Sequence, residues 1–136
     1  MIVVDASFLV MLLADDEGDG IQARDRVRGE EFAAPQLIDL EVTSVLRRFV
    51  LRGSITVQRA GQALQDLADL NVGRVAHTSL LPRVWELRGN FTAYDACYVA
   101  LAELFGAPLL TFDAKMASGP GARCTFEVFP RAAGNG

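Results

Sequence analysis

The sequence has 136 residues, 51% of them hydrophobic, with a formal net charge of −4. That length suits one domain able to bury roughly two-thirds of its unfolded surface, and so apolar a chain is not intrinsically disordered. The acidic balance excludes a nucleic-acid binder that works through a basic surface, unless a cation sits in the protein.

Ile2, Val3 and Val4 form a β-branched run ending at Asp5, which predicts a short strand. An apolar helix follows over about Ala6 to Ala14. Its apolar run stops at Asp15, Asp16 and Glu17, well short of the ~18 residues a membrane span needs. No basic stretch precedes it, so it is not a signal peptide. A more polar helix spans about Asp19 to Arg28, and Phe32 to Ala34 make a buried strand stopped by Pro35. From Gln36 to Arg52, Ile38, Val42, Val45 and Phe49 recur on one helix face, with Gly53 as its stop. Thr56 to Leu70 repeats the pattern with Ala60, Leu64 and Leu67. Val75 and Ala76 predict a third strand, and Leu81 to Arg88 and Ala93 to Phe105 two helices, the second closed by Gly106 and Pro108. Leu109 to Phe112 and Thr125 to Phe129 complete five strands. Short apolar strands separated by helices imply an α/β domain, with helices on both faces of a mostly parallel sheet. Cys97 and Cys124 make neither a disulfide framework nor a CxxC metal pair; two reduced thiols fit a cytoplasmic protein.

Four acids sit beside apolar sequence, whereas Asp15, Asp16, Glu17, Asp19, Glu30, Glu31, Asp66 and Asp69 lie in polar surroundings and read as surface charge. Asp39 and Glu86 have exposed helix faces available. Asp5 follows the first strand and opens a helix; it is an N-cap candidate, but carboxyl ends of strands in open α/β sheets also bind ligands. Asp113 repeats this arrangement after Leu109 to Phe112, as a cap over Ala114 to Ala117. Asp95 and Glu103 are the only charges between Ala93 and Phe105, and an acid in a buried helix needs a partner or a cation. Thr92 and Asp95 also fit a capping box. Glu41 falls at the edge of the buried face of its helix, where the alternatives are a pair with Arg48 or a solvated flank.

Four converging acids without basic partners would repel one another, and their pKa values would rise. A divalent cation resolves that cost, and hard oxygen ligands suit Mg²⁺ or Mn²⁺. Zinc does not fit, since His77 is the only histidine and neither cysteine has a ligand-spaced mate. Such a site can activate water and neutralise charge on a phosphodiester, and its ion gives an acidic protein a means of holding a polyanion.

At this point the sequence resembles a PIN-domain ribonuclease, specifically the VapC toxins of VapBC toxin–antitoxin pairs. The resemblance spans residues 1–130, with 131–136 left as a short tail, and rests on four motifs. They are Ile-Val-Val-Asp5-Ala-Ser7; Pro35 leading to Glu41-Val-x-x-Val-Leu-Arg-Arg; Tyr94-Asp95-Ala-x-Tyr98-Val-Ala-Leu-Ala; and Leu-Leu-Thr111-Phe-Asp113. It implies a three-layer PIN-like fold and an acidic metal site on Asp5, Glu41, Asp95 and Asp113. Asp5 and Asp95 would be its firmest ligands, and Ser7 and Thr111 would orient an acid or a water. It further implies Mg²⁺- or Mn²⁺-dependent endonucleolytic cleavage of RNA, inhibition of translation, a homodimer and a cognate VapB antitoxin. Ala6 departs from the family, where a hydroxyl residue is common.

Twelve of the thirteen basic residues are arginines, which suit bidentate phosphate contacts; Arg47, Arg48 and Arg52 share the helix of Glu41. Trp85 and Phe91 are either base-stacking or buried aromatics. Two rival functions share the pattern. One is a phosphoacceptor receiver-like domain, against which Lys115 lies only two residues past Asp113. The other is a catalytically silent domain that binds a partner, with apolar helices over Phe8 to Leu13 and Leu37 to Phe49 forming a groove for an antitoxin segment. A dinucleotide-binding module is the weaker alternative, because Gly18 and Gly20 follow no strand and no GxGxxG motif occurs.

Overall fold

A computed structural model describes residues 1–131; of the expected tail only Arg131 is included, and the rest lies outside the described residues. Five strands form one sheet: β1 (Ile2–Val4), β2 (Phe32–Pro35), β3 (Val72–Val75), β4 (Leu109–Thr111) and β5 (Phe126–Val128). Their order is β3-β2-β1-β4-β5 and every pairing is parallel. Seven helices flank the sheet: α1 (Ala6–Ala14), α2 (Gly18–Val27), α3 (Ile38–Leu51), α4 (Val57–Asp69), α5 (Leu81–Glu86), α6 (Ala93–Phe105) and α7 (Ala114–Ala117). The α/β class and the parallel sheet expected from the sequence are both present.

The order has a functional consequence. From β1 the chain winds outward through β2 to β3, whereas from β4 it winds the opposite way to β5. The reversal leaves a crevice beyond the carboxyl ends of β1 and β4, where open α/β sheets bind ligands. Val4 pairs with Leu110, so Asp5 and Thr111 emerge side by side at that crevice.

Packing fixes these ends firmly. β1 is fully buried, and Phe8 on α1 stacks on Phe112 and packs at a tilt against Phe129, at centroid distances of 5.8 and 5.2 Å. Helix α6 is buried from Ala96 through Ala102 and lies against β1, β2 and β4, with α5 alongside. Gly106 closes it in the left-handed conformation at φ 59°, which glycine adopts without a Cβ clash.

Some sequence expectations shift. The third strand is Val72–Val75 and excludes Ala76, because Gly73 and Arg74 interrupt its apolar run yet still pair with β2. The Arg74 guanidinium turns back to Asp39 at 2.7 and 2.8 Å, which gives Asp39 an ion pair in place of a free solvated face. Pro35 closes β2 from within, opposite Val75, where the sequence had it just outside. On α3 the buried stripe is Ile38, Val42 and Leu46, while Val45 and Phe49 are only half-buried. Helix α5 ends at Glu86, two residues early, and a 3₁₀ turn over Thr78–Leu80 leads into it. Asp19 is buried at 3% exposure, unlike the surface charge its polar surroundings suggest.

Candidate functional site

The four singled-out acids come from four different elements, and their charges interact pairwise, in series, along the crevice. Asp5 is the N-cap of α1: its Oδ1 accepts from the Phe8 amide at 2.9 Å and from Ser7 Oγ at 2.7 Å. Its Oδ2 accepts from Thr111 Oγ1. Ser7 Oγ in turn accepts from the Phe112 amide at 3.0 Å, and Thr111 Oγ1 from the Asp113 amide at 2.9 Å. The two hydroxyl oxygens lie 3.2 Å apart. Each carries one proton, already committed to Asp5, so they touch without bonding to one another. One carboxylate is thereby oriented on both oxygens by groups from α1 and β4.

Asp5 is only 5% exposed. Burial pushes its carboxyl from 3.8 up to about 6, opposed by the three hydrogen bonds and assisted by the charge of Asp113. Asp113 caps α7, accepting from the Lys115 and Met116 amides at 3.0 and 3.3 Å, and is itself exposed. Asp95 lies half-buried in the first turn of α6, where Thr92 supplies the cap by accepting the Asp95 amide at 3.1 Å. Among the described residues nothing donates to the Asp95 carboxylate, so its half of the capping box stays open. Burial and the charge of Asp113 both raise its pKa. Glu41, on the first turn of α3, is raised by burial and by Asp95, and lowered by the hydroxyl of Tyr98, which donates to Oε1 at 2.5 Å. Neither alternative weighed for it, a pair with Arg48 or a solvated flank, is what Glu41 makes: it is half-buried and bonded to Tyr98.

The acids therefore form a chain of mutual repulsion: Asp5 with Asp113, Asp113 with Asp95, Asp95 with Glu41. Asp113, not Asp95, is the acid whose charge reaches Asp5. Among the described residues none of the four makes an ion pair, whereas Asp16, Asp25, Asp39, Glu30, Glu86, Glu103 and Glu127 all do.

Comparison with known proteins decides the lineage. The PIN domain family matches residues 2–121. The VapC ribonuclease Mb0985 of Mycobacterium bovis is 40% identical over 131 residues, covering 96% of this chain and all of that protein. The chain belongs to the PIN-domain family, among the VapC ribonucleases. Solved structures agree at the level of fold. The crystal structure of Mycobacterium tuberculosis VapC20, a Sarcin-Ricin loop cleaving toxin, superposes with TM-score 0.67 at 17% identity over 87% of this chain and 94% of its own. A toxin–antitoxin complex from Klebsiella pneumoniae gives 0.69 at 14% identity over 96% and 100%.

PIN-domain nucleases require a divalent metal, and this PIN domain offers a suitable donor set. All its candidate ligands are hard carboxylate oxygens, they repel one another, and among the described residues no side-chain cation pairs with them. Among the described residues no three acidic, imidazole or thiol groups close around a single point, so the carboxylates alone do not form a finished cage.

Two other expectations resolve. Phe91 is buried, while Trp85 is 68% exposed with the Arg88 guanidinium 4.5 Å above its ring. Helix α1 cannot supply an open groove, since Phe8, Leu9, Val10, Met11 and Leu13 all face the core. The apolar cleft lies instead between α3 and α4, bordered by Leu46, Val50, Leu51, Val57 and Leu64. Sequence reasoning missed Tyr98 as a member of the site. Its signal was present in the position one turn beyond Asp95, on the same side of α6.

Proposed function

We propose that this chain is the toxin of a type II toxin–antitoxin pair, a metal-dependent endoribonuclease that hydrolyses RNA phosphodiester bonds at Asp5, Glu41, Asp95 and Asp113. The observation that carries this is the uncompensated acid chain at the β1/β4 switch point, in a domain 40% identical to a VapC ribonuclease along nearly its whole length.

Asp5, Asp95 and Asp113 would hold the ion, Mg²⁺ or Mn²⁺, with Glu41 joining directly or through water. When bound, the ion supplies Lewis acidity and the positive charge that draws a polyanion into an acidic crevice. The protein's own groups prepare that crevice. Ser7 and Thr111 hold Asp5 in one orientation, so no reorganisation is needed when substrate enters. The positive end of α6 favours ionisation of Asp95. Arg47 and Arg48 on α3, and Arg52 at its C-terminal cap, are exposed, and among the described residues no carboxylate pairs with them; Arg47 and Arg48 are thereby open to RNA phosphates, while the Arg52 guanidinium lies 4.8 Å above the Phe49 ring. Arg48 stands two turns beyond Glu41 on the same helix face, about 10.5 Å along the axis.

A VapB-like antitoxin, a homodimeric assembly and a cytoplasmic location complete the proposal. The antitoxin is supported by the structural likeness to a toxin–antitoxin complex. Among the described residues, no helix is long and apolar enough to cross a membrane.

The test is RNA cleavage with Mg²⁺ or Mn²⁺ by the wild-type protein, Asp5→Asn and Asp95→Asn. Both variants should lose at least about 100-fold in rate, the scale of a group acting on the reacting atoms. Equal cleavage by all three proteins would refute the assignment.

A further inference from the structure

Glu41, like Asp95, receives no hydrogen bond on its carboxylate from its own element among the described residues. It lies on α3, half-buried, and repels Asp95 across the crevice. Left to itself, a flexible glutamate in that setting turns outward to water, where its charge is better solvated. One group opposes this. The hydroxyl of Tyr98 donates to Glu41 Oε1 at 2.5 Å, and among the described residues it is the sole donor to that carboxylate. Tyr98 is 1% exposed, so its ring is held by the core and its hydroxyl has a fixed position. It lies three positions after Asp95 on α6, which sets both side chains on the same side of the helix. Oε2 receives no hydrogen bond among the described residues.

We infer that Tyr98 is a positioning residue of the acidic site, its hydroxyl pinning Oε1 so that the other oxygen of Glu41 is presented to the ion that Asp95 would hold. This deepens the metal-site reading and rests on it. A competing account runs in the other direction: Glu41 merely satisfies the hydroxyl of a buried tyrosine. The two differ in what happens to metal affinity when the hydroxyl is removed and the ring retained.

The experiment is a double-mutant cycle on the full-length protein, read as Mn²⁺ affinity from the electron paramagnetic resonance signal of free Mn²⁺. Tyr98→Phe should weaken Mn²⁺ binding about tenfold, the lower end of the effect of groups that orient metal ligands. In a Glu41→Ala background the same substitution should change affinity less than twofold. Glu41→Asp, which withdraws the carboxylate from the phenol by one methylene, should reproduce the loss seen with Tyr98→Phe. Urea midpoints in EDTA accompany each variant, so that a loss of affinity is credited only to folded protein. Affinity within twofold of wild type for Tyr98→Phe overturns the inference, as does an undiminished loss in the Glu41→Ala background. If Asp5→Asn and Asp95→Asn bind Mn²⁺ as the wild type does, the metal site itself fails and the positioning role falls with it. If those two variants lose binding while Tyr98→Phe does not, only the positioning role fails.

Discussion

Asp5 imposes a measurable cost on the metal-free fold. Its carboxyl rises from 3.8 in an unfolded setting to about 6 in the folded protein, chiefly through burial. The folded state therefore holds its proton more tightly between those two values. The contribution to stability is fully present below about pH 3.8 and is lost as the pH rises through about 6. At about 1.4 kcal/mol per pH unit, the ionised carboxylate at pH 7.5 costs about 3 kcal/mol relative to its protonated form. Asp5→Asn removes that charge but keeps an oxygen to accept from the Phe8 amide, and asparagine is as good an N-cap as aspartate. It also weakens the bonds from Ser7 and Thr111, at about 1 kcal/mol. The expected net effect is a gain of about 1–2 kcal/mol, or about 3–6 °C in Tm, for a domain of this size.

Urea unfolding in EDTA provides the assay, at pH 7.5 and at pH 5. The variant's advantage should fall by about 1.4 kcal/mol at the lower pH, which removes most of it, because the wild-type carboxyl is mostly protonated in the fold there. Mn²⁺ at about 100 times its dissociation constant should then restore about 2.7 kcal/mol to the wild type and little to the variant. A variant less stable than wild type in EDTA at pH 7.5 would refute the reasoning and leave Asp5 as a helix cap alone.

Gly20→Ala should destabilise the protein by about 1–3 kcal/mol in urea unfolding, because a Cβ there would meet the Asp15 carbonyl oxygen at 1.8 Å and force α1 and α2 apart. Glu127→Gln should cost about 1 kcal/mol, since Glu127 clamps β5 to α2 through Arg26 at 2.7 and 2.8 Å. Arg26 holds the Glu127 carboxyl below its usual range, so that stability is present above the ordinary glutamate pKa and lost on acidification. The variant's pH–stability curve should be correspondingly flatter on the acid side. Arg47→Ala with Arg48→Ala should weaken RNA binding uniformly across sequences and lower the slope of log affinity against log salt by about 1.4, as expected for two phosphate contacts on a single strand. An unchanged slope places the RNA path elsewhere.

The strands and helices were legible because burial and periodicity agree over most of the chain. Helices α1 and α6 begin and end where the sequence placed them, since Asp5 and Thr92 are strong caps and Gly106 a strong stop. β3 was misplaced because its residues Gly73 and Arg74 carry no hydrophobic signal; the strand exists through its ladder to β2. Asp5, Asp95, Asp113 and Glu41 stood out by occurring beside apolar sequence. Their chain of repulsions was not legible, because it depends on β1 and β4 being neighbours and on α3 facing α6. Tyr98 was hidden for the same reason: a tyrosine on an apolar helix looks like core until its hydroxyl partner, 57 residues away, is known. Asp19 was misread because a polar neighbourhood in sequence says little about a helix's first turn, which here folds against the core.

The distribution of charge separates function from stability in this fold. Arg26, Arg59, Arg74 and Arg83 are each committed to carboxylates away from the crevice, at 2.7 to 3.2 Å. A chain selected for stability alone would turn one of these arginines toward Asp5 or Asp95, where a partner would relieve the cost of burial. Instead, among the described residues, the donors to the acids at the crevice are all neutral: the hydroxyls of Ser7, Thr111 and Tyr98 and the amides of Phe8, Lys115 and Met116. Neutral donors orient a carboxylate without cancelling its charge. That leaves its full attraction for a cation arriving from solvent, which an internal salt bridge would have consumed.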